Sequence, residues 1–382
     1  MTDHLEMARA IAPELKTIRE TLHRHPERGN EEFETAALIE RTLAECGVET
    51  ERILDTAVVG TLKGALPGRT VALRADMDAL PLEEQTGAPF ASENPGVMHA
   101  CGHDVHMTAL LGAAKLLAAR REKLHGTVRF LFEPDEEGNG GARRMTDAGC
   151  MEGVSAVFGA HVDPNLPAGK IGVRYGKFYA ASDMITVTVF GKSAHGATPE
   201  KGIDALYAAV RMVDELKKLP AAVAADRCVL TIGSFHAGTA RNIVADRADF
   251  SGILRTLGPN DRSAMRSAVE KTVNDVAAAY GVRVELDLKK SYGGVVNTDE
   301  ETALLEKAAA AALGAENVVP ITEPTMTTED FGVFIDAACG CFYHIGAGCP
   351  LPLHNPGFLP ADEAYVTGAA VHAAAVESFL NG

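Results

Sequence analysis

Two patterns of alternation, one nested inside the other, limit what this 382-residue chain can fold into. Up to about residue 180, strand-like runs alternate with helical ones. Thr70–Ala75 (TVALRA), Thr127–Phe132 (TVRFLF) and Ala156–His161 read as buried strands. Leu5, Ala8, Ile11, Leu15, Ile18 and Leu22 recur at helical steps and predict an amphipathic opening helix. Met107–Leu117 reads as an apolar helix. Strands interleaved with helices specify a layered α/β domain. Near residue 180 the order changes to strand (Met184–Phe190), helix (about Ile203–Leu216), two strands (Val229–Ser234 and Ala248–Thr256), helix (Arg262–Tyr280) and strand (Arg283–Leu288). This β-α-β-β-α-β order is that of a small ferredoxin-like domain. Helix and strand alternation resumes after about 295. The expectation is a large mixed-sheet α/β domain formed by 1–180 and 293–382, carrying an inserted ferredoxin-like domain over 181–292.

The length exceeds what one compact core organises, in agreement with two domains. A net charge of −16 and a pI near 5.3 argue against a polyanionic partner, so no nucleic acid is expected. No stretch approaches about 18 uninterrupted apolar residues, so no membrane span is expected. The opening Met1-Thr2-Asp3-His4-Leu5-Glu6 lacks a basic region followed by an apolar run, the mark of a secretory leader. Cys46, Cys101, Cys150, Cys228, Cys339, Cys341 and Cys349 form an odd, widely scattered set. Together these features predict reduced thiols and a cytoplasmic protein.

Four segments offer metal-ligating side chains at the predicted ends of elements. In Cys101-Gly102-His103-Asp104, a thiolate and an imidazole one residue apart can face one ion if the backbone bends at Gly102. Asp104 is placed to orient an imidazole. A loop histidine beside a buried cysteine would give the same pattern. Glu133-Pro134-Asp135-Glu136-Glu137-Gly138 follows the TVRFLF strand directly. Neighbouring side chains leaving a strand diverge, so one glutamate can ligate while the other faces substrate. A solvated acidic loop is the bland alternative. His161 and His354 stand at a strand end and in an Asn-Pro turn, places where a lone histidine is more often structural than a ligand. A shared metal site accounts for all four segments together. The inserted domain adds Ser193-Ala194-His195-Gly196, where small neighbours leave room for a large group to approach.

These segments resemble the amidohydrolase branch of the aminoacylase/carboxypeptidase metallopeptidases, which includes hippurate hydrolases, N-acyl-amino-acid deacylases and auxin-conjugate hydrolases. LRADMDALP (73–81), MHACGHDVH (98–106), FEPDEEGNGGA (132–142), GAHV (159–162), SAHGATPEKGIDA (193–205), GTARNIVAD (238–246), TTEDF (327–331) and LHNPGF (353–358) run in family order through nearly the whole chain. The resemblance implies a metallopeptidase-like catalytic domain and an inserted dimerisation domain. It implies two divalent ions per subunit, bridged by Cys101 and completed by His103, Glu137, His161 and His354. Manganese, zinc, nickel and cobalt are the candidates. Glu136 is implied as general base, and His195, reaching a partner subunit's site, as oxyanion stabiliser. Asn242 and Arg255 look like contacts to the substrate carboxylate. Two departures stand out. Arg74-Ala75-Asp76 occupies the place of the wider superfamily's His-x-Asp ligand motif, which leaves Asp76 as supporting structure. Asp135 stands where a small residue often precedes the glutamate pair.

The implied activity is hydrolysis of the amide bond of N-acyl amino acids by a homodimer, giving a carboxylic acid and a free amino acid. A dipeptidase, carboxypeptidase or N-acetyl-diaminopimelate-type deacetylase would use the same site. A metal-independent thiol hydrolase with Cys101 as nucleophile is a further alternative, but it gives the glutamate pair and His354 no role. A non-enzymatic binding protein of the same fold would have lost ligands that are all present here.

Overall fold

The structure, a computed structural model, describes residues 4–382. Met1 to Asp3, read above for a leader, lie outside that range. The chain forms two compact units. The larger comprises the chain up to Gly176 with Val296–Glu323 and Asp330–Gly382, and the smaller comprises Lys177–Val295 with Pro324–Glu329.

The larger unit is built on an eight-stranded mixed sheet. Its order is Glu49–Ile53, Ala57–Lys63, His125–Glu133, Leu66–Asp76, Ala156–Asp163, Cys339–Gly346, Ile171–Val173 and Val318–Pro320. The four strands from His125–Glu133 to Cys339–Gly346 run parallel. Helices cover such a parallel core, so its strands read as unbroken apolar runs rather than alternating ones. Phe130, Phe132, Phe158 and Tyr343 are fully buried on them. Register places Asp76 beside Glu133 and His161 beside His344. His161 and the Glu133–Glu137 segment therefore lie at the carboxyl ends of these parallel strands, where open α/β sheets commonly bind ligands.

The helix His103–Ala118 is buried over 14 of its 16 residues, which explains why it is apolar all round rather than amphipathic. The single opening helix expected from periodicity is instead two, His4–Ala10 and Ala12–Arg24. Pro13 sits in the first turn of the second helix; its ring and missing N–H exclude a continuous helix through Ile11. The apolar period runs across the break because both helices face one core.

The smaller unit has the antiparallel order Cys228–Ala237, Arg247–Thr256, Ala181–Phe190, Arg283–Lys290. In chain order that is strand two, three, one, four, the ferredoxin-like arrangement. Ile185, Val187 and Val189 alternate inward against the helices Ala205–Leu216 and Pro259–Tyr280. The 324–329 segment joins this unit through Thr325 N–H to Phe178 O (2.9 Å) and Ala180 N–H to Thr327 O (3.1 Å). Among the described residues, no helix is long and apolar enough to cross a membrane.

Candidate metal centre

Gly102 sets the geometry of the site. Its backbone is left-handed (φ +87°), and a Cβ there would lie 2.6 Å from Val162 Cγ2, so only glycine turns the chain so sharply in that space. The helix His103–Ala118 begins directly after it. Cys101 and His103 thereby turn toward His161 at the end of its strand, and ligand atoms of all three lie within 4.8 Å of one another. Cys101 Sγ is 3.3 Å from His161 Nε2. The His161 ring donates from Nδ1 to Val162 O (2.8 Å), which leaves Nε2 with its lone pair facing the sulfur.

A second trio shares the same sulfur. Ligand atoms of Cys101, Glu137 and His354 also lie within 4.8 Å of one another, as do those of His103, Glu136 and Glu137. His354 Nε2 is 3.0 Å from Glu137 Oε1. His354 has a left-handed backbone, and its N–H donates to Ala100 O (2.9 Å), tying the LHNPGF turn to the Met98–Cys101 segment. The structure therefore gathers Cys101, His103, Glu136, Glu137, His161 and His354, which lie up to 253 residues apart in sequence, into one cluster.

The electrostatics favour cations. His103 is fully buried, and neither ring nitrogen has a hydrogen bond of acceptable geometry. Its Nδ1 lies 3.3 Å from Asp78 Oδ1, and its Nε2 lies 3.7 Å from Asp76 Oδ2. Burial alone would lower its pKa, yet the charges of Asp76, Asp78 and Glu137 raise it to about 10. Glu137 would be raised by burial, but the hydrogen bond from His354 and the charge of His103 hold it at about 2. Burial and the neighbouring Glu137 and Glu136 carboxylates push the Cys101 thiol well up. A thiol nucleophile needs the opposite environment, one that depresses its pKa. Soft sulfur, imidazole and carboxylate donors together fit borderline divalent ions.

Asp78 escaped the reading of the sequence. Its Oδ2 accepts from Glu137 N–H (3.0 Å) while Oδ1 faces His103, so one carboxylate touches two candidate ligands. The available signal was RADMD itself, where two aspartates two apart at a strand end share a face. Asp76, taken as supporting structure, binds Arg74 (2.8 Å) and His106 Nδ1 (2.6 Å). Asp104 does orient an imidazole, but that of His23 on the Ala12–Arg24 helix (2.8 Å) rather than a ligand's.

The model for peptidase family M20/M25/M40 matches residues 72–378. The chain belongs to that family. This M20 chain is 37% identical over 376 residues to thermostable carboxypeptidase 1 of Saccharolobus solfataricus, covering 95% of each. It is 36% identical over 362 residues to an N-acetylcysteine deacetylase of Bacillus subtilis, covering 93% of this chain and 94% of the relative. Its fold superposes on a dinuclear metal-binding M20 peptidase of Bacillus subtilis with a TM-score of 0.88 at 34% identity, covering 98% and 99% of the two chains.

The remaining predicted residues of this M20 chain lie in the smaller unit. His195 is exposed; Ala197 N–H donates to its Nδ1 (3.1 Å), so the neutral ring carries its proton on Nε2. His195 pairs with Ile243 in a two-residue ladder, and Gly196 N–H donates to Asn242 O (2.7 Å), so His195 and Asn242 lie on adjacent paired segments. Arg255 stands apart on the Arg247–Thr256 strand, where burial lowers its pKa and its Nη1 is buried without a partner.

Proposed function

We propose that the protein hydrolyses the amide bond of N-acyl amino acids using two divalent ions per subunit. The observation that carries this reading is that two donor trios, Cys101–His103–His161 and Cys101–Glu137–His354, share a single sulfur. Two ions bound there would polarise the amide carbonyl and supply a water acidified to a pKa of about 7. The chain's own residues do the rest. Glu136, buried beside both trios, takes the proton of the attacking water and hands it to the departing nitrogen. His195, with Nε2–H free to donate, stabilises the oxyanion in a partner subunit's site. Arg255 Nη1 and the Asn242 side chain receive the substrate carboxylate.

A homodimer follows from this role for His195. Leu206, Tyr207 and Val210 on the outer side of the Ala205–Leu216 helix and Phe235 on an edge strand are exposed, which supports a covered face there. A Cys101 thiolate shared by two ions would favour zinc, nickel or cobalt over calcium or magnesium, with manganese a candidate through its availability. Seven unpaired cysteines support a cytoplasmic setting. Acyl amino acids are preferred over dipeptides as substrates because the names of the deacetylase relatives point to them.

The test is Glu136→Gln. The variant should bind two ions per subunit and lose nearly all turnover of N-acetyl and N-benzoyl amino acids. Normal turnover would remove Glu136 from its role. A panel including dipeptides separates deacylase from peptidase. Activity that survives thorough chelation would sink the metal-dependent reading altogether.

A further inference from the structure

We infer that Asp135 is a positioning residue, whose carboxylate clasps the turn carrying Glu136 and so sets the angle at which that base meets its proton. The inference rests on the proposed hydrolase role of Glu136.

Asp135 follows the His125–Glu133 strand by two residues and is buried, with a left-handed backbone (φ +59°). Non-glycine residues rarely adopt that conformation, and it persists only where the surroundings enforce it. Asp135 Oδ2 accepts from Asn30 Nδ2 (2.7 Å) and Asn139 Nδ2 (3.0 Å). Its N–H donates to Glu32 Oε1 (3.0 Å), and its carbonyl accepts from Gly140 N–H (3.1 Å). Asn30 is itself left-handed (φ +66°), so two unusual backbone conformations are locked together by one side-chain hydrogen bond.

The packing around the carboxylate is equally specific. A Cβ on Gly29 would lie 2.3 Å from Asp135 Oδ1, and one on Gly138 would lie 2.2 Å from it. Both flanking turns therefore close onto this carboxylate so tightly that a side chain at either glycine would have to displace it. Hydrogen bonds hold the turn on either side of Glu136. Glu137 has its own, through its N–H on Asp78. Asp135 holds the other side, through Glu32, Asn30 and Asn139. Glu136 lies between the two anchors, so its direction depends on both. Removing the Asp135 clasp should misdirect Glu136 and leave Glu137 on Asp78.

The test uses Asn30→Ala, Asp135→Asn and the double variant in the metal-loaded protein. Asn30 is exposed, so its replacement leaves the core intact. Each single variant should lower kcat by about tenfold to 100-fold, the scale of a misplaced reacting group, with KM little changed. Two ions per subunit should remain. The double variant should be no worse than Asp135→Asn, because both changes break one clasp. In crystals of Asn30→Ala, the 135–138 turn should be displaced. Wild-type kcat in both single variants, loss of an ion, additive losses in the double variant, or an undisplaced turn would each overturn the inference. If the wild-type protein hydrolyses no acyl amino acid, the functional reading fails instead, and the displaced turn still reports on the clasp.

Discussion

His103, His106 and His161 place their ring centroids 4.6–6.0 Å apart, yet their nitrogens are committed differently. His106 donates from Nδ1 to Asp76 and accepts Val162 N–H at Nε2 (2.9 Å), so no lone pair is left for an ion. His161 keeps Nε2, and the His103 ring nitrogens face Asp78 and Asp76 without a hydrogen bond of acceptable geometry. Asp78 touches both His103 and Glu137, with Oδ2 on Glu137 N–H and Oδ1 3.3 Å from His103 Nδ1. Asp78→Asn should weaken metal binding by about 10–100-fold, the usual effect of removing a partner behind a ligand. Equilibrium dialysis measures this directly, and unchanged affinity would show that Asp78 aims nothing. At this scale the sequence was legible where a motif named the residue and illegible where geometry chose. MHACGHDVH contains His99, His103 and His106, and the segment alone does not distinguish the buried His99, the ligand candidate and the ring that pins Val162 N–H. Asp135 read as a departure without a purpose because its partners Asn30 and Asn139 lie in turns, where spacing carries no signal.

Between elements, a buried clamp joins the Ala12–Arg24 helix to the first turn of the His103–Ala118 helix. Arg19 Nε (2.9 Å) and His23 Nδ1 (2.8 Å) both reach Asp104 Oδ2, and Glu84 takes the other His23 nitrogen (3.2 Å). Burial would lower the pKa of His23, but Asp104 and Glu84 raise it from 6.5 to about 9. The folded state therefore holds this proton more tightly than the unfolded chain. Its contribution is fully present below about pH 6.5 and is lost as pH rises through about 9, on the order of 3 kcal/mol in all. Wild-type denaturation midpoints should fall over that window, whereas those of His23→Gln should stay nearly flat; parallel slopes would contradict the assignment. Arg19 and His23 are four apart on one helix face, yet no sequence pattern points to their shared partner 85 and 81 residues away. Element types were readable because burial imposes periods on the chain. The break at Ile11 and the adoption of 324–329 by the smaller unit were not, since the apolar period crosses the first and backbone hydrogen bonds fix the second.

For the whole molecule, the question is whether one subunit can complete a site. The larger unit holds the donor trios and Glu136, whereas His195, Asn242 and Arg255 lie in the smaller unit. The sheet of the smaller unit ends in the Cys228–Ala237 edge strand, and an exposed edge invites pairing with a second copy. Tyr207, 52% exposed on the Ala205–Leu216 helix, is the kind of large aromatic that anchors interfaces. If His195 acts across that interface, His195→Ala should be inactive but still dimeric. Glu136→Gln should be inactive for a different reason. In a mixture allowed to exchange subunits, half the dimers are hybrids. Each hybrid has one site with both residues intact and one with neither, so activity should recover to about a quarter of the wild-type level. Subunit exchange is checked with differently tagged chains by native mass spectrometry. Hybrids that form and remain inactive would place His195 in its own subunit's site, and the dimer would then lose its catalytic rationale.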